Sequence, residues 1–566
     1  MSWIHPLSTE VDETAEVLGG KGHGLVVLRR LGLPVPPGFV IGTAACRAFL
    51  RDGRLPAGLE AELADAVAEL EAATGRRLGG PGRPLAVAVR SGGSVSMPGM
   101  MSTVLNLGLT TEATAALAAE SNAREEDRED GESAGRRFAL DARLRFLTGY
   151  ACQVLGLDRE ILADLARRRN PAIVEEFVRQ RTGEPVPDDA ARQLERAVAA
   201  VFASWDTPRA RTYRALHDIP GDLGTAITVQ AMVFGNRDQH SGTGVAFSRN
   251  PDTGDQLPFG EVLFGCQGED VVSGGALTLR LSELADREPA VWSALLDALR
   301  RVEEHYRDAC YLEFTFEAGE LWLLQVRPAR LVGRAAVRVA VDLADAGTLT
   351  RREALLRVAS QQVRRVRTPR IAPGDAADPL TRGLGASPGV AVGRIAVTAD
   401  SAVRMAAHGP VVLVRPETSP LDLHGLAAAT GILTARGGPT SHAAVVARSL
   451  ARPAVVGATG LTVDVTTATV RIGARVLPEG TLIAIDGTGG EVVIGAPQVV
   501  VAAADPRLHR LLGWADDVTG APVGSAEERT EAERLAAAHA VLRRSDTGTS
   551  TGTGTGTGTK SDPQTS

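Results

Sequence analysis

The sequence predicts a multidomain protein of mixed α/β and α+β class, and three observations predict it. The chain has 566 residues, enough for about three or four domains of ordinary size. Short β-like apolar runs bounded by Gly and Pro turns fill the first hundred residues, return at 221–330 and return again after 380. Between them, residues 111–215 carry a helical pattern almost throughout.

Taken in order, residues 1–330 read as one α/β region with a helical insert at about 111–215. "LVVLRRLGLPVPPGFVIGTAA" is helix, turn and strand, and "PLAVAVRSGG" is a strand running into a glycine turn. The charge run "SNAREEDREDGESAGRR" is expected to be a solvated loop. "AITVQAMVFG", "GTGVAFSRNP", "LEFTFE" and "ELWLLQVRPA" are strands, with "NPDTGD" a turn. Residues 331–380, rich in Arg, Ala and Pro with a helical middle, read as an interdomain linker. Residues 381–500 form a compact unit of β character. A short helical segment occupies 501–544, and the Gly/Thr repeat of 545–566 is expected to be disordered because it has nothing to bury.

Composition narrows the function. A net charge of −7 supports neither a nucleic-acid partner nor an anionic membrane surface. Four scattered cysteines without a CxxC pair argue against a disulfide framework or a zinc ribbon. The N-terminus has no basic start followed by an apolar core, and no run reaches the roughly 18 apolar residues of a membrane span. A cytoplasmic protein is expected. Of 61 basic residues only Lys21 and Lys560 are lysine. Lys560 lies in the repeat tail, so Lys21, in "LGGKGHG", is the only lysine of the foldable part. A compact ammonium is not interchangeable with a guanidinium at a phosphate.

Four stretches carry chemistry. "LGGKGHG" lacks the Walker spacing, yet four glycines around Lys21 let backbone and ammonium approach a phosphate. "VAVRSGGSVSMPGMM" delivers Arg90, a bidentate phosphate donor, to a loop with hydroxyls at Ser91, Ser94 and Ser96; its methionines read equally as core filler. In "YLEFTFEAGELWLLQVRPARL", Glu313 lies on one strand of a hairpin and Gln325 and Arg327 on one face of the other. That pair can hold Mg²⁺ against a triphosphate, or be a solvated surface hairpin. In "GILTARGGPTSHAAVVARSL", Gly437-Gly438 turn the chain, Thr440 or Ser441 can cap a helix, and His442 falls in its first turn. There the free N–H groups and dipole favour an anion, and Arg436 can help hold it. Read alone, His442 is more readily a polar helix-start residue.

Together and in this order the four stretches resemble the pyruvate phosphate dikinases. More loosely they resemble the wider phosphohistidine-swivelling enzymes, which include phosphoenolpyruvate synthase and rifampicin phosphotransferase. The likeness runs from about 15 to 518 and includes "VSMPGMMSTVLNLGL", "RFALDARLRF", "SWDTPRARTYRALHDIPGDLGTA", "VQAMVFGN", "SGTGVAFSRNPDTG", "QGEDVVSG" and "GILTARGGPTSHAAVVAR". It implies an ATP-grasp nucleotide-binding region at 1–330 linked to a swivelling phosphohistidine β/α domain at 381–500. By the same likeness Lys21, Arg90 and Arg327 contact ATP, Glu313 and Gln325 face a Mg²⁺ ion, and His442 is phosphorylated. In the family ATP gives its β,γ-phosphates to the histidine, and inorganic phosphate removes the γ-phosphate. The domain then swings to a second site where pyruvate becomes phosphoenolpyruvate.

Two departures qualify the expectation. Where the family carries an acidic residue two positions before the metal-side glutamate, this chain has Tyr311, a poorer magnesium ligand; Glu317 is the nearby carboxylate that can take its place. "LLGWADDV" (511–518), which in the family leads into a TIM barrel, is followed here by fewer than 50 residues, whereas a barrel needs about 250. Residues 501–544 are therefore expected to be the truncated start of such a barrel. The pyruvate site is expected on a separate TIM-barrel subunit.

Overall fold

In the computed structural model the described residues are 2–95, 97, 100–122, 134–268, 278–329, 331–372, 374, 379–438, 441–501, 505–520 and 529–548. Ser96, Thr440, most of the charge run at 121–137, most of "QGEDVVSG" and the repeat tail from 549 lie outside them.

The mixed α/β and α+β class is as expected. Two antiparallel five-stranded sheets organise the first 330 residues. One carries, in spatial order, Ile4–Pro6, Gly38–Ile41, Ala226–Ala231, Val87–Gly92 and Thr103–Leu107. The other carries Leu279–Arg280, Phe259–Phe264, Gly242–Phe247, Cys310–Glu317 and Glu320–Pro328. Helix Ala15–Arg30 joins them: Leu18, Leu25 and Leu28 share one core with Val40 and Ala226 of the first sheet and Phe314 and Val326 of the second. The helical insert (Thr111–Asn122, Ala134–Gln153 and the helices through Pro208–Leu216) packs Phe146, Tyr150, Phe202 and Trp205 against the opposite side of the first sheet. Its helices start where side-chain oxygens of Asp158, Asn170, Asp189 and Thr207 accept from free N–H groups.

The unit after 380 is built on a sheet with a parallel centre. Val390–Ala396, Val411–Arg415, Gly431–Thr434 and Ala454–Val456 run parallel, flanked by antiparallel strands that include Leu482–Asp486 and Glu491–Ile494. Both faces are covered, so "VVLV" and "GILT" are continuous apolar runs. Val412, Val414 and Leu433 face one core; Val411, Leu413 and Ile432 face the other, under helices Ala399–Ala406 and His442–Leu450.

Residues 331–368 are largely helical, with helices at Gly333–Asp345, Arg351–Arg357 and Ser360–Val363. They close one core with Pro506–Thr519 and Glu531–Gly548, through Val341, Leu355, Val363, Leu511, Trp514 and Leu535. Stretches far apart in sequence thus form a single helical unit.

Candidate functional site: a nucleotide face and a docked histidine

The "LGGKGHG" turn fits against "RSGG". Gly19 takes φ +67°, and a Cβ there would collide with the Gly92 carbonyl; Gly20 N–H donates to the Gly93 carbonyl at 2.9 Å. A Cβ on Gly92 would in turn press on the Lys21 side chain. These glycines serve backbone-to-backbone approach, and their effect is to bring Lys21 beside Arg90. Arg90 reaches the second sheet, donating to Glu313 Oε2 at 2.8 Å and to the Leu324 carbonyl at 3.1 Å. Glu313 is the cross-strand partner of Gln325, and Tyr311 that of Arg327. Alternation sets all four on one face. The Arg327 guanidinium lies 4.3 Å over the Tyr311 ring.

Lys21, Arg90, Arg327, Glu313, Gln325 and Tyr311 therefore converge, and their charges are mutually perturbed. Burial, with Arg90 and Arg327 adding to it and Glu313 opposing, lowers Lys21 to about 7. Burial pushes Glu313 up, but Arg90, Lys21 and Arg327 outweigh it and hold the carboxyl below its usual range. Burial, reinforced by Glu313, keeps the Tyr311 phenol neutral, with its hydroxyl 3.4 Å from Glu313 Oε1. The face combines two guanidiniums and a lysine lowered to about 7 with one ionised carboxylate and one carboxamide. Among the described residues no cluster of three or more His, Cys, Asp or Glu side chains gathers.

Glu317 does not take the place of a metal-side acid at 311. It accepts from Phe234 N–H at 2.8 Å and pairs with Arg237 at the turn end of the hairpin. Six residues along a strand put it roughly 20 Å from position 311.

His442 is the first residue of its helix, as the glycine turn predicts, with Ser441 at the cap position. The Ser441 hydroxyl is buried and makes no cap hydrogen bond. His442 Nδ1 lies 3.1 Å from Thr418 Oγ1. Burial, with help from Arg209 and against Asp422, lowers the imidazole to about 4, so it is neutral at pH 7. Arg436 is paired instead with a carboxylate: its guanidinium is half exposed and lies 3.4 Å from Glu417.

The histidine helix is docked on the first 330 residues. A Cβ on Gly438 would overlap the Glu261 carboxylate, which is 5% exposed and accepts from Thr278 Oγ1 at 2.6 Å. Leu423 packs against the core of the helical insert. Burial lowers Arg448, two turns along from His442, while Asp252 and Glu261 oppose and Arg327 adds to the shift. Arg209, Glu261, Thr418, Asp422 and Arg448 were not singled out from sequence. Arg209 and Glu261 belong to the first 330 residues, so their relation to the histidine helix exists only once the two parts meet; Thr418, Asp422 and Arg448 lie in its own unit, where no local spacing marks them.

Comparisons with known proteins follow this division. Residues 15–76 and 51–278 match the profile of the pyruvate phosphate dikinase AMP/ATP-binding domain, and 407–490 that of the PEP-utilising enzyme mobile domain. The chain thus resembles the class of PEP-utilising enzymes with a mobile domain, its two antiparallel sheets forming the ATP-grasp unit. Within that class it is pyruvate phosphate dikinase-like. It is 41% identical over 526 residues to pyruvate, phosphate dikinase 2 of Zea mays, covering 89% of this chain and 58% of the relative. It is 40% identical over 538 residues to pyruvate, phosphate dikinase of Rhizobium meliloti, with the same coverage. To pyruvate, phosphate dikinase 2 of Oryza sativa it is 39% identical over 544 residues, 92% of this chain and 60% of the relative. The chain spans about three-fifths of the length of these relatives. Among the described residues no helix is long and apolar enough to cross a membrane.

Proposed function

We propose that the chain is an ATP-dependent phosphotransferase. Residues 1–330 bind the nucleotide, 331–380 connect, and 381–500 carry the phosphoryl group on His442. Lys21, Arg90 and Arg327 hold the phosphate oxygens. With Nδ1–H donating to Thr418, Nε2 carries the lone pair that attacks the β-phosphorus. The bond to the α–β bridging oxygen breaks and AMP leaves. Inorganic phosphate then removes the γ-phosphate as pyrophosphate, leaving phosphohistidine, which passes to an acceptor. Pyruvate, bound on a separate TIM-barrel chain and converted to phosphoenolpyruvate, is the acceptor the relatives suggest. Arg436 is assigned to the phosphoryl group once Glu417 releases it. A cytoplasmic setting suits the four free cysteines.

Mg²⁺ would be held by Glu313 and Gln325, whose ionised carboxylate and paired carboxamide suit an ion that takes few protein ligands and shares phosphate oxygens. There it would screen the triphosphate charge.

The observation that carries the proposal is a neutral histidine on a helix N-terminus, docked on a region whose face gathers three basic side chains. Incubation with [β-³²P]ATP and Mg²⁺ is expected to give an acid-labile, base-stable label that His442→Ala lacks. Equal label on the variant would overturn the assignment. Tyr311 favours a second reading, a nucleotide-binding regulator without turnover: if label appears only in Tyr311→Asp, that reading holds.

A further inference from the structure

The net charge of −7 is not spread evenly along the chain. Residues 349–370 hold seven arginines and a single carboxylate, Glu353. They include helices Arg351–Arg357 and Ser360–Val363 of the helical unit and run into Pro369–Ile371, which pairs antiparallel with Val499–Val501. Four of these arginines have structural partners. Arg351 lies over the Trp514 ring, and Arg352 donates to the Leu542 carbonyl at 2.9 Å. Arg367 pairs with Glu531 at 2.7 Å, and Arg370 lies 3.6 Å from Asp486. Arg364 and Arg365 are exposed and make no side-chain hydrogen bond or ion pair among the described residues.

A cavity of about 440 Å³ lies where this stretch meets helix Glu531–Gly548. Arg357, Ser360, His539 and Arg543 give it polar groups, and Leu356 and Ala536 give it apolar surface. Arg357 holds Asp308 through Nη1 at 3.0 Å, which leaves Nε and Nη2 without a partner among the described residues. Arg543 is exposed and has no hydrogen-bond or ion-pair partner among them. His539 is pinned, its Nε2 lying 2.8 Å from the carbonyl of Leu355 in the last turn of helix Arg351–Arg357. A carbonyl only accepts, so Nε2 carries the proton and Nδ1 is left for a ligand. The carboxylates of this region are already engaged: Glu353 by Arg307, Asp308 by Arg357, Glu531 by Arg367 and Glu533 by the Thr530 N–H. The cavity is therefore cationic, and its positive groups lack counter-charges.

We infer that this cavity is a second ligand site, separate from the nucleotide face, and that it takes a small phosphomonoester. The phosphate sits between Arg357 and Arg543, whose guanidiniums match its oxygens. The organic body lies against Leu356 and Ala536. A volume in the range of small-molecule sites is more than a bare anion fills, and the apolar surface suits carbon. A nucleoside monophosphate and a phosphorylated three-carbon acid share this chemistry.

Hydrogen exchange of the full chain, read by mass spectrometry, localises binding. AMP and phosphoenolpyruvate are the two probes, with inorganic phosphate beside them at equal concentration. At least one ester is expected to slow exchange over 354–362 and 534–543, and the one that does so names the source. Arg543→Gln, at an exposed position without a partner to lose, is expected to raise the half-saturating concentration for that protection about tenfold. Arg543→Lys should raise it less. Peptides around Lys21 and Arg90 report the nucleotide face separately and should respond alike in wild type and variants. Protection by neither ester, equal protection by inorganic phosphate, or protection undiminished in Arg543→Gln would overturn the site.

Discussion

At pH 7 the Lys21 ammonium is about half protonated, because burial and two arginines oppose its charge and only Glu313 favours it. A triphosphate beside it reverses that balance and raises its pKa. Below pH 7 the free protein already carries the proton, so ATP affinity is expected to be flat. Above pH 7 binding must take up a proton, and affinity should fall by at most about tenfold per unit. Titration calorimetry from pH 6 to 9 checks this, and Lys21→Met should remove the slope while weakening binding on the order of tenfold or more. His442 behaves oppositely. Held near 4, against about 6.5 unfolded, it is neutral throughout pH 6–8, so its labelling rate at saturating ATP should not vary there. The sign for stability follows: a depressed folded pKa gives a contribution fully present above 6.5 and lost as pH falls toward 4. Melting temperatures of His442→Gln should therefore decline less steeply than wild type across that window.

Among the elements, the glycine turn at 19–20 illustrates what sequence can and cannot tell. "LGGKGHG" announces glycines around the only core lysine leading into a helix; the structure kinks the chain at Gly19 alone and places Lys21 within helix Ala15–Arg30. That Gly19 and Gly20 face the backbone of "RSGG", while Gly22 and Gly24 pack on Val40 and Val326, depends on strands far away in the sequence. Gly19→Ala needs both a left-handed φ and the space of the Gly92 carbonyl, and is expected to cost about 2–4 kcal/mol. Chemical denaturation measures it, and ATP affinity should fall with it as Lys21 and Arg90 part. The hairpin of Glu313 and Gln325 was legible for the same local reason, since period-two alternation fixes which side chains share a face. Glu317 shows the limit. Its spacing is compatible with the site, but its partners Phe234 and Arg237 come from elsewhere and hold it at the wrong end of the strand.

For the molecule as a whole, the parts were readable and their meeting was not. Strands, helices and the histidine turn follow from periodicity and turn chemistry. The seat of Gly438 on Glu261 and the approach of Arg209 to His442 require two separately folded regions to touch. The helical unit is the other case, because the apolar faces of 333–366 and 506–548 are each incomplete alone. Leu511 is fully buried between them. Leu511→Ala is expected to destabilise the protein by about 2–5 kcal/mol, read as a shift in denaturation midpoint, with the Lys21–Arg90–Glu313 face left intact.

Ile371 and Val499 lie opposite each other in register, so the backbone leaves the helical unit and returns to it at one doorway. Everything from 372 to 498 is, in terms of connectivity, a loop closed by one short β-ladder of three residue pairs. Because closure entropy grows only slowly with loop length, such a segment behaves as a cassette. Replaced by an Asn-Gly turn, it should leave behind a nucleotide-binding remainder that folds on its own. A chain organised this way can exchange the whole segment 372–498 for another without redesigning the Lys21–Arg90–Glu313 face.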